Sequence, residues 1–271
     1  MTEMSIGEVL TVLDLRRTSP DTFVGVSQQL PGLRVFGGQL LGQSIVAADR
    51  TVRPDAGIHS LHAYFLRQGD PAEPIHFTVD RTRDGRSFAA RRVEAAQHGK
   101  VIFTMLASFQ EPADGPSHQD GPPPVPAPEN LQLRYPFGSP GGPLVMCPVP
   151  REETTPADGR ARSATWIRVA DDLPDTPLLH TAMLAYLSDF SILHAAMRAH
   201  SIRRNGRRAK TASLDHAMWF HRNARLDDWV LYDTVSPAAG GARAFGVGSL
   251  FSRSGELLAT VGQEGMVRLL D

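Results

Sequence analysis

The chain consists of two halves that repeat one series of strand and turn patterns. Each half contains three β-branched and aromatic stretches separated by glycine turns, at 60–65, 87–95 and 101–111 and again at 213–220, 242–251 and 257–265. In the first half, Phe65 and Gln110 are 45 residues apart. In the second half, Phe220 and Gln263 are 43 residues apart. Such stretches between glycine turns are typical of hairpins and meanders, so we predict a duplicated antiparallel β-unit.

One helical stretch precedes each meander, at 38–50 and at about 178–200. Both are apolar on nearly every face, so we expect both helices to be buried on all sides. A long, bent antiparallel sheet wrapped around a buried helix satisfies this pattern. Two such units side by side would merge their sheets and enclose both helices. The sequence therefore predicts an α+β fold of the duplicated hotdog type.

The two halves are separated by a segment rich in proline and glycine. Prolines are densest between 112 and 140, where they remove the backbone donors that helices and sheets need. A loop of such length is unusual inside one domain but natural between two. We predict an N-terminal domain at 1–111, a linker at 112–160 and a C-terminal domain at 161–271 that carries the catalytic residues.

Composition excludes several classes of protein. The formal net charge of −1 gives no general attraction for nucleic acid or for an anionic membrane. The single cysteine, Cys147, cannot form an internal disulfide. We find no run of eighteen apolar residues that would span a membrane. The N-terminus also lacks the cationic stretch followed by an apolar run that is typical of a signal peptide. We expect a cytoplasmic protein without nucleic-acid or membrane partners.

Asp189 is the first candidate functional residue, because it lies inside the apolar run 184–193. An ionised carboxylate in such surroundings is costly unless it is hydrogen-bonded. Two interpretations stay open at this point. Asp189 serves catalysis, or it caps a new helical segment that starts at Ser191.

Ser213 and Gln263 are two further polar candidates, each with a structural alternative. A hydroxyl and a carboxylate can together hold a water molecule for attack on a carbonyl, and an amide can both donate to and accept from that water. The alternatives are an ordinary strand serine and a surface glutamine. The pair Gly37 and Gly38 at a helix start leaves backbone N–H groups available for a carbonyl oxygen or an oxyanion.

Other motifs in the sequence give weaker indications of function. The sequence lacks the Gly-x-Ser-x-Gly motif of an α/β-hydrolase nucleophile, and Cys147 has no histidine nearby in the chain. The spacing of the histidines, among them His59, His62, His216 and His221, matches no metal motif. The basic cluster at 203–208 with Lys210 is a solvated loop or, alternatively, a contact for the phosphates of coenzyme A.

Four segments together resemble the type II acyl-CoA thioesterases. These segments are 34–39 (RVFGGQ), 184–189 (LAYLSD), 212–222 (ASLDHAMWFHR) and 263–265 (QEG). They occur in the family's order, and the likeness extends from about residue 30 to the C-terminus. The linker is the part least alike.

The resemblance implies a double-hotdog enzyme that hydrolyses fatty acyl-CoA without a metal or cofactor. It places the family's catalytic Asp, Thr or Ser, and Gln on Asp189, Ser213 and Gln263, which orient a water molecule rather than form an acyl-enzyme. Many members carry Thr where this chain has Ser213, and serine has more rotamer freedom. We expect an acyl tunnel between the sheet and the helices, lined by Tyr64, Phe65 and Trp219, and a homo-oligomeric assembly.

Two other functions on the same fold stay open. A hydratase or dehydratase would add water to an enoyl thioester, or remove it, with an acid paired to a histidine, and His194 is the candidate histidine closest to Asp189 in sequence. A catalytically silent acyl-CoA-binding protein is the second alternative, since a fold does not determine a function.

Overall fold

The computed structural model describes residues 5–28, 34–136, 142–154, 159–202 and 208–270. Over this part of the chain, thirteen strands form one antiparallel sheet. The elements of the first half are α1 (Ile6–Leu13), β1 (Arg16–Ser19), β2 (Thr22–Gly25), α2 (Gly37–Asp49), β3 (Gly57–Phe65), β4 (Ile75–Asp84), β5 (Phe88–Gln97) and β6 (Lys100–Gln110).

The second half repeats this arrangement after the connecting segment. Its elements are β7 (Leu144–Pro148), β8 (Ala161–Val169), α3 (Pro177–Ser191), α4 (His194–Ala199), β9 (Arg208–Ser213), β10 (Asp215–Phe220), β11 (Val230–Gly240), β12 (Arg243–Ser252) and β13 (Leu257–Leu270). Two short 3₁₀ helices, Pro128–Asn130 and Arg151–Glu153, belong to the connecting segment.

The sheet is nearly symmetric about its centre. The strand order is β1-β2-β4-β5-β6-β3-β10-β13-β12-β11-β8-β7, and β9 pairs with the far end of β13. At the centre, β3 and β10 are antiparallel and His62 pairs with Ala217. Outward from this pair, β6, β5 and β4 correspond to β13, β12 and β11. The predicted duplication is therefore present as one merged sheet.

The two central helices lie against each other and are buried, as their apolar composition predicts. Every residue of α2 from Gly38 to Ala48 is buried, and α2 packs along α3. Close approach depends on Gly38, because a Cβ there would lie 2.1 Å from the carbonyl oxygen of Tyr186. The stretch predicted as one helix to His200 is interrupted, since α3 ends at Ser191 and α4 begins at His194.

Turns with positive φ connect two of the hairpins at the predicted places. His98 and Gly99 have φ of 50° and 70° between β5 and β6, and Gly241 and Ala242 have φ of 55° and 59° between β11 and β12. Two successive residues with positive φ match the right-handed twist of a two-residue hairpin. These turns set the register of β5 against β6 and of β11 against β12.

The connecting segment runs along the sheet of the second half. The indole Nε1 of Trp166 donates to the carbonyl oxygen of Pro126 over 2.9 Å, and Gln119 bonds the backbone of Gly255 and Leu257. Strand β7 lies within the range predicted as linker and pairs with β8. Within the described part of the chain, no helix is long and apolar enough to cross a membrane.

Candidate functional site

Asp189 lies in the last turn of α3, which begins with Pro177 at its first helical position. Proline suits that position because its missing N–H would be unpaired there in any case. The interpretation of Asp189 as a helix cap is wrong, because α4 begins only at His194 and Leu193 precedes it. A carboxylate at the C-terminal end of a helix faces the negative end of the helix dipole. The position of Asp189 therefore carries a cost that other contacts must offset.

The carboxylate of Asp189 accepts hydrogen bonds from two side chains on different strands. Oγ of Ser213, at the end of β9, donates to Oδ1 over 2.8 Å. Nε2 of Gln263, on β13, donates to the same oxygen over 2.9 Å. This Nε2 also lies 3.0 Å from Oγ of Ser213. The structure thus brings together three polar groups that are remote in sequence.

The three groups differ in their access to solvent. Gln263 is only 1% exposed, whereas Asp189 and Ser213 are partly exposed. Part of Asp189 and part of Ser213 therefore reach the surface, whereas Gln263 does not. The amide lies behind them, where its surroundings hold it in place.

The start of α2 also contacts the carboxylate. The backbone of Gly38 lowers the pKa of Asp189, as expected where the positive end of the α2 dipole lies beside a carboxylate. Gly37 lies against Oδ2 and against the ring of Phe65. Gly37 and Gly38 therefore lie beside the carboxylate, and a role of their N–H groups toward an oxyanion stays a prediction.

Burial raises the pKa of Asp189 above the ordinary carboxyl value. The hydrogen bonds from Ser213 and Gln263 and the backbone of Gly38 lower this pKa, but they do not outweigh burial. A carboxylate with a raised pKa is a stronger base once it is ionised. The site therefore holds one activated carboxylate with a hydroxyl and an amide in contact.

His216 belongs to the site, although the sequence analysis treated it only as one of several histidines without a metal motif. It is 1% exposed, its Nδ1 contacts Oε1 of Gln263, and burial lowers its pKa. Its position three residues after Ser213 could have indicated it. The break between β9 and β10 at Leu214 hid that signal, because strand alternation cannot be counted across it.

Of the three predicted tunnel residues, only Phe65 lies on the side of the helices. It is partly buried and packs against the main core. Tyr64 and Trp219 are 59% and 40% exposed, and each alternates with buried neighbours along its strand. The prediction that they line a tunnel between sheet and helices is wrong, because their side chains point to the opposite face of the sheet.

The first half has no side-chain amide at the position that corresponds to Gln263. On the central strand β10, Ala217 pairs with Gly262 of β13. On the other central strand, β3, the equivalent residue His62 pairs with Leu106 of β6. The register therefore equates Gln263 with Ala107, and not with the Gln110 that sequence spacing had suggested. The residue beside Ala107 on β5 is the buried Arg91, which bonds Oγ1 of Thr51 over 2.9 Å.

Other candidate groups lie apart from this site. Among the described residues, no three His, Cys, Asp or Glu side chains come together in a way that could hold a metal ion. Cys147 is buried in a small second core cluster, and burial raises the pKa of its thiol. Arg208 and Lys210 are exposed on β9, whereas residues 203–207 of the predicted basic cluster lie outside the described residues.

Taken together, the merged sheet, the two enclosed helices and the polar group between them define a double-hotdog α+β protein with one asymmetric site. Comparison with known proteins gives the family. Residues 145–266 match the acyl-CoA thioesterase family, and residues 27–110 match the acyl-CoA thioesterase N-terminal domain.

Individual relatives agree over nearly the whole chain. Acyl-coenzyme A thioesterase 8 of Homo sapiens is 37% identical over 285 residues, which cover 96% of this chain and 89% of that protein. The crystal structure of acyl-CoA thioesterase II TesB2 from Mycobacterium marinum is 45% identical, with a TM-score of 0.88, and covers 97% of this chain and 99% of that one. The chain belongs to the acyl-CoA thioesterase family.

A more distant structure supports the fold alone. A protein with the hot dog fold from Alicyclobacillus acidocaldarius is 18% identical, with a TM-score of 0.78, and covers 96% of this chain and 98% of that one. The predicted fold class and family are thereby confirmed.

Proposed function

We propose that the protein hydrolyses acyl-CoA thioesters to a free fatty acid and coenzyme A, with a water molecule activated by Asp189. The observation that carries this proposal is the convergence of Ser213 and Gln263 on one carboxylate oxygen. A carboxylate, a hydroxyl and an amide within 3.0 Å of one another offer the acceptor and donors that a single attacking water needs. Family membership supports the substrate class.

The proposed reaction is one displacement at the thioester carbonyl. In this scheme a water molecule binds beside the three groups, and Asp189 accepts a proton as the water oxygen bonds to the carbonyl carbon. The tetrahedral intermediate then releases the thiolate of coenzyme A as the carbon–sulfur bond breaks. The thiolate is a good leaving group and takes up the proton from Asp189, so no metal or cofactor is required by this scheme.

Ser213 is proposed to hold the water rather than to attack the substrate. A serine nucleophile is activated by a neighbouring base such as histidine, but the hydroxyl of Ser213 donates to Asp189 and accepts from Gln263. Intact-mass spectrometry of enzyme quenched during a single turnover tests this. We expect the unmodified mass; an acyl adduct lost in Ser213→Ala would assign the attack to the serine.

The acyl chain is proposed to lie near the aromatic side chains that surround the start of α2. Phe36 packs edge-to-face with Tyr186 at 5.0 Å and with Phe190 at 6.3 Å between ring centroids. Phe65 contacts Gly37 from the other side. These rings supply an apolar surface beside the carboxylate, which suits a fatty acyl chain.

The structure offers a specific reason to prefer hydrolysis over hydration of an enoyl thioester. The hydratase scheme needs a histidine that faces the substrate. The histidine beside Asp189 is His216, and not His194 as the sequence suggested, but it is buried. Both of its ring nitrogens contact protein groups, namely Gln263 and Ser188.

A thiol-release assay over a series of acyl chain lengths tests the proposed function. We expect release of free thiol from saturated acyl-CoA, with no change of enoyl absorbance when an enoyl-CoA is offered. Loss of enoyl absorbance without thiol release would assign the hydratase function. Tight binding of acyl-CoA by calorimetry without thiol release would assign the silent binding function.

Two further properties, a cytoplasmic location and self-association, stay predictions from the sequence. Open hotdog edges and faces often associate with copies of the same chain. Sedimentation at several protein concentrations tests the second, with a mass above 29.5 kDa as the expected result.

A further inference from the structure

The imidazole of His216 connects the helix that carries Asp189 to the strand that carries Gln263. On one side, Nδ1 contacts Oε1 of Gln263. On the other, Nε2 lies 3.0 Å from Oγ of Ser188, the residue directly before Asp189. All three side chains are almost completely buried, so water does not satisfy these groups in their place.

This contact bears on which way the amide of Gln263 points. The nitrogen and oxygen of an amide have nearly the same shape, and rotation by 180° exchanges them. In the present orientation Nε2 donates to Asp189 and to Ser213. In the rotated orientation Oε1 would face the carboxylate, so two acceptors would oppose each other. The proposed chemistry therefore requires the present orientation.

A proton on Nδ1 of His216 would enforce this orientation, because it bonds Oε1 and repels an N–H. Burial lowers the pKa of His216, so the ring is neutral at pH 7 and carries one proton. With that proton on Nδ1, Nε2 must accept. The hydroxyl of Ser188 lies 3.0 Å from Nε2 and 2.8 Å from the carbonyl oxygen of Ala185, and in this arrangement it turns its single proton from Ala185 to Nε2. The chain of bonds runs from Ser188 through His216 to Gln263 and ends on Asp189.

We propose that His216 is a positioning residue: its Nδ1–H holds Oε1 of Gln263, and this turns Nε2 toward Asp189 and Ser213. The inference rests on the proposed function, because it assigns the amide a part in holding the attacking water. His216 itself does not touch the substrate in this scheme.

Kinetics of two substitutions test the proposal. His216→Leu removes the Nδ1–H donor and fills its place in the core with an apolar side chain. We expect kcat for thiol release to fall on the order of 10- to 100-fold with KM nearly unchanged. His216→Asn places an amide N–H close to the position of Nδ1, and we expect it to recover most of the rate. His221→Leu, on an exposed histidine that bonds Thr260, is the matched control and should leave kcat unchanged.

A double-mutant cycle separates positioning from a merely structural effect. If His216 acts through the amide, His216→Leu costs little further rate in a Gln263→Ala background, because the amide is already absent. Equal fold-losses in both backgrounds would overturn the proposal, as would a Gln263→Ala variant as active as wild type. Wild-type enzyme that releases no thiol would instead contradict the proposed function.

The tautomer can be read without any activity. Nitrogen-15 NMR of the wild-type protein distinguishes protonated from unprotonated ring nitrogens, and His216→Asn identifies the signal. We expect His216 to carry its proton on Nδ1 at pH 7. A proton on Nε2 alone would overturn the proposal, whatever the activity of either variant.

Discussion

Gly37 faces Asp189 so closely that a Cβ added to it would lie 2.6 Å from Oδ2 of the carboxylate. The same Cβ would lie 2.9 Å from Cε1 of Phe65. Real Cβ contacts are essentially never this short, so a larger residue must displace the carboxylate or the ring. The helix that begins at Gly37 and the helix that ends after Asp189 therefore share one narrow contact at the site.

From this contact we predict that Gly37→Ala lowers kcat by about 100-fold, because a displacement of about 1 Å at the reacting groups has a cost of that order. Steady-state kinetics with thiol release measure it. Gly57→Ala is the control, since a Cβ there meets nothing within 4 Å, and it should keep wild-type activity. Unchanged kcat in Gly37→Ala would show that the carboxylate need not stay where it lies.

The dependence of activity on pH follows from the raised pKa of Asp189. A general base acts only when it is ionised, so kcat/KM should fall as pH decreases through this pKa. Because burial raises the pKa, the fall should lie at a higher pH than the ordinary carboxyl value of 3.8. A pH–rate profile of the wild type measures it.

A second carboxyl with a raised pKa, on the half-buried Asp49, provides the control for that profile. Burial raises the pKa of Asp49 to about 6, and Asp49 lies at the end of α2, so its titration could also reduce activity. We expect Asp49→Asn to keep the acidic limb of the wild type. Disappearance of the limb in this variant would assign it to Asp49 rather than to Asp189.

Substitutions at Ser213 should separate the hydroxyl from the shape of the side chain. Ser213→Ala removes the bond to Asp189, and we predict a decrease of kcat on the order of 10- to 100-fold. Ser213→Thr keeps the hydroxyl on a stiffer, β-branched side chain, and we predict activity equal to or above wild type. A Ser213→Ala enzyme with wild-type kcat would remove the hydroxyl from the scheme.

The two faces of the sheet should respond differently to the loss of an aromatic ring. Phe65→Ala removes a ring beside Gly37, so we predict a higher KM for long-chain acyl-CoA and a shifted chain-length preference. Trp219→Ala removes a ring from the opposite face, where it packs edge-to-face against His62 with 5.3 Å between ring centroids, so we predict an unchanged chain-length profile. Kinetics over the acyl series check both, and equal responses would place Trp219 in the acyl site after all.

Much of the fold could be predicted from the sequence, because apolar patterning and turn chemistry are local. The glycine turns and the repeated order of strands indicated the duplication, and the apolar helices indicated the buried centre. Placing Tyr64 and Phe65 in one tunnel overlooked a rule that the sequence itself supplies. Adjacent strand residues point to opposite faces, so only one of them can face the helices.

Two features of the site depend on register, which spacing alone does not determine. Strand pairing shifts by irregularities near Ile58 and near Leu250. The pairs that decide the correspondence are Ala217 with Gly262 and His62 with Leu106, so Gln263 corresponds to Ala107 and not to Gln110, and His216 lies beside Gln263. Asp189 could be identified because a carboxylate in an apolar helix is costly wherever the helix packs.

Thiol release by Asp189→Asn at saturating acyl-CoA tests the central claim most directly. The substitution keeps the size of the side chain but removes the base, and general-base catalysis contributes on the order of 10²- to 10⁴-fold. We predict a decrease of kcat in that range, with acyl-CoA binding retained by calorimetry. A folded Asp189→Asn enzyme that binds acyl-CoA and turns it over at the wild-type rate would contradict the account.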